Sequence, residues 1–188
     1  MVKKETPVTE PETGRKTLYQ LSDSMFLFWY RFVRPNVSSI IRGVGEQVYD
    51  SIVKPQMNDF MGSVFEEICK QYLYLPEVYK DLPFPLGNAG RWWGNNRKKK
   101  RQEEIDIMSV SEDKALFAEC KWRNEKVDAE VIHTLIERGE LFQYPEKHYY
   151  IFSKSGFKEN AVEYATQNSK VHLIDFHHMT QGLSNERE

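Results

Sequence analysis

The sequence has few cysteines, no charge excess and no long apolar run. Cys69 and Cys120 are the two cysteines among 188 residues. They form no CxxC pair, so neither a disulfide framework nor a four-cysteine zinc site is indicated. The 26 Lys and Arg residues nearly balance the 28 Asp and Glu residues, for a formal net charge of −2. The whole chain therefore has no strong field for nucleic acid or anionic membranes, and any basic surface must be local.

Signals for secretion or membrane insertion are also lacking. Residues 1–16 contain no apolar stretch like that of a signal peptide. The most apolar run, from Met25 to Tyr30, is far shorter than the roughly 20 residues that span a bilayer. Together with the few cysteines, these observations predict a cytoplasmic, reducing setting and no membrane contact.

The remaining composition predicts one main domain with short flanking segments. With 40% hydrophobic and 29% charged residues, the chain is of a globular type and long enough to bury its own core. Residues 1–16 lack aromatic side chains and are predicted to be a tail or linker. Residues 17–56 are predicted to form a helical extension, with Ser22 or Asp23 as the first N-cap. Residues 57–180 are then the main domain, and 181–188 a C-terminal tail.

Two kinds of periodicity predict an α/β fold for the main domain. One apolar stripe recurs every three or four residues and predicts a helix that packs on a sheet. The segments EEIDIMSV and KALFAECKW read as strands, and the turn-forming residues between them predict an antiparallel hairpin. Helices over 128–142 and 158–167 alternate with strands over 149–153 and 171–176, which predicts a mixed central sheet flanked by helices. The stripe consists of Met61, Phe65, Ile68, Tyr72 and Leu75.

The hairpin carries charged residues inside otherwise apolar strands. A hairpin symmetric about its turn pairs Val110 with Ala115, and therefore Asp106 with Glu119. The same register pairs Glu104 with Lys121. Because side chains alternate along a strand, these four charged side chains are predicted to share one face. The opposite, apolar face is then formed by Ile105, Ile107, Ala118 and Cys120.

Two carboxylates opposed in this way repel each other unless a positive charge lies between them. A divalent cation bound by Asp106 and Glu119 would supply that charge, and hard oxygen ligands favour Mg²⁺ or Mn²⁺. Lys121 would lie beside the metal and could orient a water molecule. The alternative is a solvated face on which Lys121 neutralises the two acids. The apolar surroundings disfavour that alternative, because unpaired charge is costly in a sheet covered by helices.

This arrangement resembles the signature of the PD-(D/E)XK nuclease superfamily. Asp106 is followed 13 residues later by Glu119, Cys120 and Lys121. The resemblance implies a restriction-endonuclease-like core and a Mg²⁺ site formed by Asp106, Glu119 and the backbone carbonyl of Cys120. It also implies an acidic residue on the preceding helix, for which GSVFE offers Glu66, with its neighbour Glu67 as the residue that could be mistaken for it. The proline of the superfamily's name is replaced by Ile105.

A closer resemblance covers most of the chain. Its segments are similar to the C-terminal domain of unknown function in archaeal AAA-type ATPases, in which the domain follows a P-loop core and a winged helix. LYQLSD resembles the last strand of that winged helix. The resemblance implies an ATPase portion or partner, although this chain has no GxxxxGKS/T nucleotide-binding motif. The similar segments are YQLSDSMFLFWYRFVRPN, MGSVFEEIC, GRWWG, EEIDIMSV, AECKW and IFSKSGF.

A local basic cluster precedes the hairpin. Its side chains could contact DNA phosphates, or they could belong to a solvated loop, and the sequence leaves both open. Lys154, after a predicted strand, is a further candidate for a phosphate contact. The cluster consists of Arg91, Arg97, Lys98, Lys99, Lys100 and Arg101.

Three functional hypotheses follow. The first is a metal-dependent DNA endonuclease in which Lys121 positions the attacking water, with 5′-phosphate products implied by the resemblance. The second is a non-catalytic DNA-binding or regulatory module of an ATPase that keeps the nuclease fold. The third is a chain that acts only with its ATPase portion, with the aromatic helix as the coupling surface or as a homodimer interface. DNA and RNA substrates are not distinguished by the sequence.

Overall fold

The computed structural model describes residues 2–11, 16–96 and 99–181. Within these ranges, no helix is both long enough and apolar enough to cross a membrane. The strands are β1 (Val2–Glu5), β2 (Leu18–Leu21), β3 (Ala89–Asn96), β4 (Arg101–Ser111), β5 (Lys114–Lys121), β6 (Glu146–Ser153) and β7 (Val171–Asp175). The helices are α1 (Ser24–Phe28), α2 (Val37–Ile41), α3 (Gly45–Val48), α4 (Lys54–Leu73), α5 (Pro76–Tyr79), α6 (Ala129–Gly139), α7 (Glu159–Gln167) and α8 (Phe176–Gln181).

A five-stranded mixed sheet in the order β3-β4-β5-β6-β7 forms the centre of the main domain. β3, β4 and β5 are antiparallel neighbours, whereas β5, β6 and β7 are parallel. Helices α6 and α7 provide the crossovers between the parallel strands and pack on one face, and α4 and α8 cover the other. The predicted α/β fold, a mixed central sheet flanked by helices, is confirmed.

Helix α4 packs on the sheet as predicted, but of the predicted stripe only Phe65 is fully buried, while Ile68 and Tyr72 are partly buried against the same cluster. Phe65, Cys69 and Leu73 are fully buried and lie in one cluster with Ile107 and Ala118 of the hairpin. These positions are four residues apart, so they form one face of the helix. Glu66 follows Phe65 and lies beside this packed face, where it lines a cavity with Asp106 of β4.

The N-terminal extension is helical and has its own small core. Asp23 is the N-cap of α1, because its carboxylate accepts hydrogen bonds from the N–H groups of Met25 and Phe26 at 2.9 and 3.1 Å. After α1 come a π-helical turn (Trp29–Val33), a 3₁₀ turn (Arg34–Asn36) and, before α4, a second π-helical turn (Tyr49–Val53). The rings of Phe28, Phe32 and Phe60 pack against one another with centroids 5.1 to 5.7 Å apart.

The structure differs from the predicted N-terminal tail. Val2–Glu5 pairs with Leu18–Leu21 as an antiparallel ribbon of β1 and β2. Further along, the N–H of Val8 donates to the carbonyl of Arg91 at 3.0 Å, at the edge strand β3. Backbone pairing thus holds this segment on the main domain although it has few apolar side chains. The domain boundaries at residues 16, 56 and 180 stay predictions.

The edge strand β3 begins in a stretch that is rich in glycine and proline. Trp92 packs with Phe142 in the core of the α6 face, with ring centroids 4.9 Å apart. Gly94 leaves room for the Trp92 ring, because a Cβ at residue 94 would lie 2.6 Å from its Cζ2 atom. A glycine that would weaken most strands is therefore required here for packing.

The register of the predicted hairpin is confirmed over its turn-proximal half. The Cα partners run from Ser111 with Lys114 to Ile107 with Ala118. Alternation starting from the turn therefore predicted which residues of β4 and β5 are neighbours.

A β-bulge in β4 overturns the prediction that the four charged side chains share one face. Gly90 pairs with Met108 and Trp92 pairs with Ile105, so Arg91 alone lies opposite two residues, Asp106 and Ile107. Such an extra residue interrupts the alternation of side chains. As a result, Ile105 packs on the α6 face whereas Ile107 packs on the α4 face.

The correction applies to both predicted faces. Glu104 and Asp106 lie on the α4 side, where Glu104 contacts Arg91 and Asp106 lines a cavity with α4 residues. Glu119 and Lys121 lie on the α6 side, since Glu119 bonds to Arg138 of α6. On the apolar face, Ile107, Ala118 and Cys120 stay together and Ile105 does not.

Candidate active site

Asp106 lies at the bulge, where the ladder between β4 and β5 stops. Its Oδ2 atom accepts a hydrogen bond from the backbone N–H of Cys120 at 2.8 Å. The next pair along the strands, Ile107 with Ala118, is the last with Cα partners in register. A side-chain carboxylate thus satisfies a β5 backbone group and fixes Asp106 beside the segment Glu119–Cys120–Lys121.

Glu66 of α4 and Asp106 open onto one cavity of about 100 Å³. The cavity is polar, and the ribbon of β1 and β2 contributes to its wall through three side chains. Glu67, the neighbour of Glu66, is bound by Lys70 at 2.7 Å and by Lys3 at 3.4 Å. The lining residues are Lys3, Glu5, Gln20, Ser63, Glu66, Glu67, Lys70, Arg91, Asp106 and Ile107.

Burial raises the pKa of two acids at this cavity, Asp106 and Glu66. Burial, followed by the charges of Glu119 and Glu66, raises the pKa of Asp106 to about 8. Burial also raises the pKa of Glu66, against the lowering effect of the Arg91 guanidinium. Both shifts have the same physical cause, because a carboxylate that loses water and faces other acids is stabilised by a proton or by a cation.

Glu119 is buried on the other side of the sheet and is held by two cations. Its Oε1 atom accepts from Lys121 Nζ at 2.5 Å, and its Oε2 atom accepts from Arg138 Nη1 at 2.7 Å. Arg138 also donates through Nε to the Oε2 atom of Glu103 at 3.2 Å. The alternative interpretation is a solvated face on which Lys121 neutralises the acids. The Glu119–Lys121 pair agrees with the neutralisation, but Glu119 is only 6% exposed and so does not lie on a solvated face.

The donor set matches a hard divalent cation in its chemistry. Asp106, Glu119 and Glu66 supply carboxylate oxygens, and Cys120 supplies a backbone carbonyl, which are ligands typical of Mg²⁺ or Mn²⁺. Within residues 2–11, 16–96 and 99–181, no three His, Cys, Asp or Glu side chains converge as a ready coordination set. The metal and its ligands stay predictions.

The predicted phosphate-binding residues are ion-paired wherever the structure describes them, with two exceptions. Arg91 pairs with Glu104 and, at 3.9 Å, with Glu5. Lys99 pairs with Glu137 at 2.5 Å, and Arg101 pairs with Glu103 at 2.7 Å.

Lys100 and Lys154 are held differently. Lys100 has a φ of 52°, in the left-handed region, where the chain turns before β4. Lys154 donates to the amide oxygen of Asn124 at 2.7 Å and lies 5.0 Å from the centroid of the Trp122 ring. Arg97 and Lys98 lie outside the described residues.

Arg138 and Glu103 are the site residues that the sequence did not reveal. Arg138 is in the last turn of α6, where a basic residue is common and carries no signal of its own. Its partners Glu103 and Glu119 are 35 and 19 residues away in sequence. A contact of this kind depends on how α6 crosses the sheet, which local patterns do not specify.

Comparisons with known proteins give a family. A model of the DUF234 family, described as archaea bacterial proteins of unknown function, matches residues 29–132, which is more than half of the chain. An uncharacterized protein of Methanocaldococcus jannaschii, MJECL04, is 33% identical over 127 residues. The match covers 66% of this chain and 27% of that protein, so the chain spans about a quarter of the length of this relative.

Three solved structures are similar to parts of the chain. A protein of unknown function, AF1548, is 16% identical with a TM-score of 0.41, over 61% of this chain and 65% of that chain. The protein VC1899 from Vibrio cholerae is 14% identical with a TM-score of 0.45, over 68% and 32%. The DNA modification-dependent restriction endonuclease AspBHI is 19% identical with a TM-score of 0.36, over 65% and 30%.

Proposed function

The chain belongs to the DUF234 family, and we propose that it is a metal-dependent DNA endonuclease of the PD-(D/E)XK type. One observation carries this proposal. The Asp106 carboxylate accepts a hydrogen bond from the N–H of Cys120 at 2.8 Å, and burial, followed by the charges of Glu119 and Glu66, raises the pKa of Asp106 to about 8. Glu66 and Asp106 share one cavity, and the charge of Glu119 on the α6 side acts on Asp106, so the Asp106 carboxylate favours a proton or a cation.

The residues divide into ligands and a residue that orients water. Asp106, Glu119 and the carbonyl of Cys120 would hold Mg²⁺ or Mn²⁺, with Glu66 assisting from α4. When bound, such an ion lowers the pKa of a coordinated water and stabilises negative charge on the phosphate. Lys121 is on the same strand as Glu119 and would orient the attacking water through its ammonium group. By the resemblance, the products would carry 5′-phosphates.

The DNA contacts in this proposal come from basic side chains around β3 and β4 and from Lys154. Arg91, Lys99 and Arg101 are paired with acids, so DNA phosphates would have to replace Glu104, Glu137 and Glu103 as partners. Such an exchange is favourable when a partner is exposed and its ion pair is weak. Glu137 is more than half exposed, whereas Glu103 is buried. Lys99 is therefore the member of this group that is most readily available.

Incubation with DNA tests the proposal directly. Wild-type protein and Asp106→Asn are incubated with supercoiled, linear and branched DNA in the presence of Mg²⁺, Mn²⁺ or EDTA. Asp113→Asn is the matched control, because Asp113 is exposed in the turn of the same hairpin. Metal-dependent cleavage by wild type and Asp113→Asn, but not by Asp106→Asn, is expected. Cleavage that persists in Asp106→Asn or in EDTA would contradict the proposal.

A second candidate is a non-catalytic DNA-binding or regulatory module of an AAA-type ATPase. The observation that favours it is the pairing of Glu119 with Lys121 and Arg138, which leaves this acid neutralised by protein groups. The half-exposed rings of Trp29 and Tyr30 on the helical extension would suit an ATPase portion or a second copy of the chain. DNA binding without cleavage under every metal condition would favour this candidate.

A further inference from the structure

We propose that a cavity at the carboxyl ends of β5 and β6 binds a phosphate group. The inference rests on the proposed function only for the source of that phosphate, which would be a nucleic-acid strand. It requires no metal ion, and it uses none of the basic side chains around β3 and β4 that the proposed function assigns to DNA. It adds a contact on the α6 side of the sheet.

The cavity is large and lined mainly by charged side chains. Its volume is about 410 Å³, compared with about 100 Å³ for the cavity that Asp106 lines. Ligand cavities in proteins are typically about 300 to 1,000 Å³, so this space admits a nucleotide unit. Five cations and four acids line it. The cations are Lys121, Arg123, Lys126, Arg138 and Lys158.

Two loops at one end of the parallel strands form much of the cavity wall. Lys121 and Ser153 are the last residues of β5 and β6 and are paired in register. The loops that follow them, residues 122–128 and 154–158, lead into α6 and α7, and both contribute lining residues. In open α/β sheets, ligands bind in the crevice outside the carboxyl ends of the strands. The cavity therefore lies where this kind of sheet commonly binds a ligand.

Hydrogen bonds hold the two loops together. The N–H of Val127 donates to the carbonyl of Gly156 at 3.0 Å, and the N–H of Lys158 donates to the carbonyl of Val127 at 2.8 Å. The hydroxyl of Ser155 donates to the carbonyl of Arg123 at 2.7 Å. The wall is thus formed before a ligand arrives, which lowers the entropy cost of binding.

Three of the five cations already have acid partners in the cavity wall. Lys121 and Arg138 are bonded to Glu119. The Nζ atom of Lys158 lies 3.3 Å from the Oδ2 atom of Asp128. These contacts neutralise two of the four acids and leave two cations for a ligand.

Arg123 and Lys126 are these two cations. Within the described part of the chain, neither has an acid within ion-pair distance. The Nε atom of Arg123 is buried and has no hydrogen-bond partner there. A buried N–H group without an acceptor is costly, so an oxygen that reaches Arg123 is favoured. Phosphate oxygens bind a guanidinium through two N–H groups at once, and Lys126 would supply a second charge.

The other two acids do not close the cavity to an anion. Glu125 and Glu130 are exposed, so water stabilises their charges and salt screens them. They do, however, make a cation the alternative ligand. Removal of a positive side chain would weaken the binding of a phosphate and strengthen the binding of a cation. The sign of the change therefore distinguishes the two ligands.

The experiment measures binding to the full chain in EDTA, so that neither metal nor cleavage contributes. Fluorescence anisotropy gives the affinity for a short labelled DNA, both single-stranded and duplex, over a series of salt concentrations. Isothermal titration calorimetry gives the affinity for inorganic phosphate and for a nucleoside 5′-monophosphate.

The variants change one charge of the cavity at a time. They are Arg123→Met, Arg123→Lys, Lys126→Met and Glu125→Gln. Lys170→Met is the matched control, because Lys170 is an exposed lysine directly before β7, at the opposite end of the parallel strands. Circular dichroism establishes that each variant is folded. Because Lys126 is exposed, Lys126→Met keeps the test open if Arg123→Met does not fold.

The expected result is a graded loss of affinity for the phosphate-bearing ligand. Arg123→Met should lose about tenfold and Lys126→Met less. For DNA, each should also lower the slope of log affinity against log salt concentration by about one, because one phosphate contact is lost. Arg123→Lys should recover only part of the affinity, since an ammonium group lacks the paired donors. Glu125→Gln should bind as tightly as wild type or more tightly, and Lys170→Met should match wild type.

The choice of ligands distinguishes two sources of the phosphate. DNA affinity that falls in Arg123→Met, without binding of either small ligand to wild type, assigns the cavity to a nucleic-acid strand. Binding of inorganic phosphate or of the nucleotide that is lost in Arg123→Met, with unchanged DNA affinity, assigns it to a free phosphate compound. Both results support the phosphate site.

Three results would overturn the inference. Wild type would bind none of these ligands, or the folded Arg123→Met and Lys126→Met would bind them as tightly as wild type does. In the third, Arg123→Met would bind more tightly and Glu125→Gln more weakly, as a cation site requires.

The outcome is separate from that of the nuclease test. Metal-dependent cleavage by wild type, with unchanged binding in the cavity variants, would keep the nuclease and remove the phosphate site. Weakened binding by these variants in EDTA, without cleavage by wild type under any metal condition, would keep the phosphate site and remove the endonuclease.

Discussion

The carboxylate of Asp106 accepts a hydrogen bond from the backbone N–H of Cys120 at 2.8 Å. The bond joins β4 to β5 at the point where their Cα register ends. It also places an acid with a raised pKa next to Glu119 and Lys121. The properties of this one carboxyl group therefore lead to the first two predictions.

The stability of the metal-free protein should fall as the pH rises from about 4 to about 8. Burial and the neighbouring acids raise the pKa of Asp106 from a model-compound value of 3.8 to about 8. The folded state therefore holds a proton over a pH range in which the unfolded state has lost it. Stability decreases with pH wherever the folded state binds more protons.

Urea unfolding in EDTA at several pH values measures this effect. Asp106→Asn should flatten the decline, because the amide does not titrate, and Asp113→Asn should keep it. A wild-type curve that is as flat as that of Asp106→Asn between pH 4 and 8 would show that Asp106 is not responsible.

Metal binding should strengthen with pH over the same range. A proton on Asp106 competes with the metal, because carboxylate ligands bind in their ionised form. The affinity for Mn²⁺ should rise by up to about tenfold per pH unit as the pH approaches 8 from below. Titration of Mn²⁺ at pH 6, 7 and 8 measures the slope. Equal affinity at pH 6 and pH 8 would argue against Asp106 as a ligand.

Lys121→Met should strongly reduce cleavage while keeping Mn²⁺ binding. Loss of a group that orients the attacking water is expected to lower kcat by about 100-fold or more. The Mn²⁺ affinity should be unchanged or higher, since a cation bonded to Glu119 has been removed. Lys114→Met is the matched control, because Lys114 is at the other end of β5 and pairs with Glu146 at 3.2 Å. Retained cleavage in Lys121→Met would remove this mechanism.

Glu66→Gln should weaken Mn²⁺ binding more than Glu67→Gln does. Glu66 interacts electrostatically with Asp106, whereas Glu67 is paired with Lys70 and Lys3. Both substitutions remove one charge from adjacent residues of the same helix, so the comparison isolates position. Side-by-side Mn²⁺ titrations decide between them. A larger effect in Glu67→Gln would show that Glu67, and not Glu66, is the acid of α4 that contributes to Mn²⁺ binding.

The sequence predicts the hairpin well and its far end poorly. Turn chemistry between Ser111 and Lys114 determines the register as far as Ile107, because each residue pair follows from the one before it. The bulge at Asp106 ends the regular pairing, so the register does not continue beyond Ile107. No glycine or proline marks it within β4, and it arises from pairing with β3, which local periodicity does not report.

The same limit applies to the candidate site. The sequence predicts Asp106, Glu119 and Lys121 as site residues because charged residues at this spacing are unusual within apolar strands. The resemblance adds Glu66, which lines the same cavity as Asp106. Arg138 and Glu103 were missed because ion pairs across a helix-to-sheet packing are set by tertiary structure. Composition predicts that buried acids need partners, but it does not predict which partners they find.

The ribbon of β1 and β2 has a consequence for access to Asp106. Lys3, Glu5 and Gln20 help to enclose the cavity of about 100 Å³ that contains Asp106. A space of this size admits an ion or a few waters but not a nucleotide. Under the proposed function, a phosphodiester that approached Asp106 through this cavity would have to displace the ribbon, whereas an ion would not.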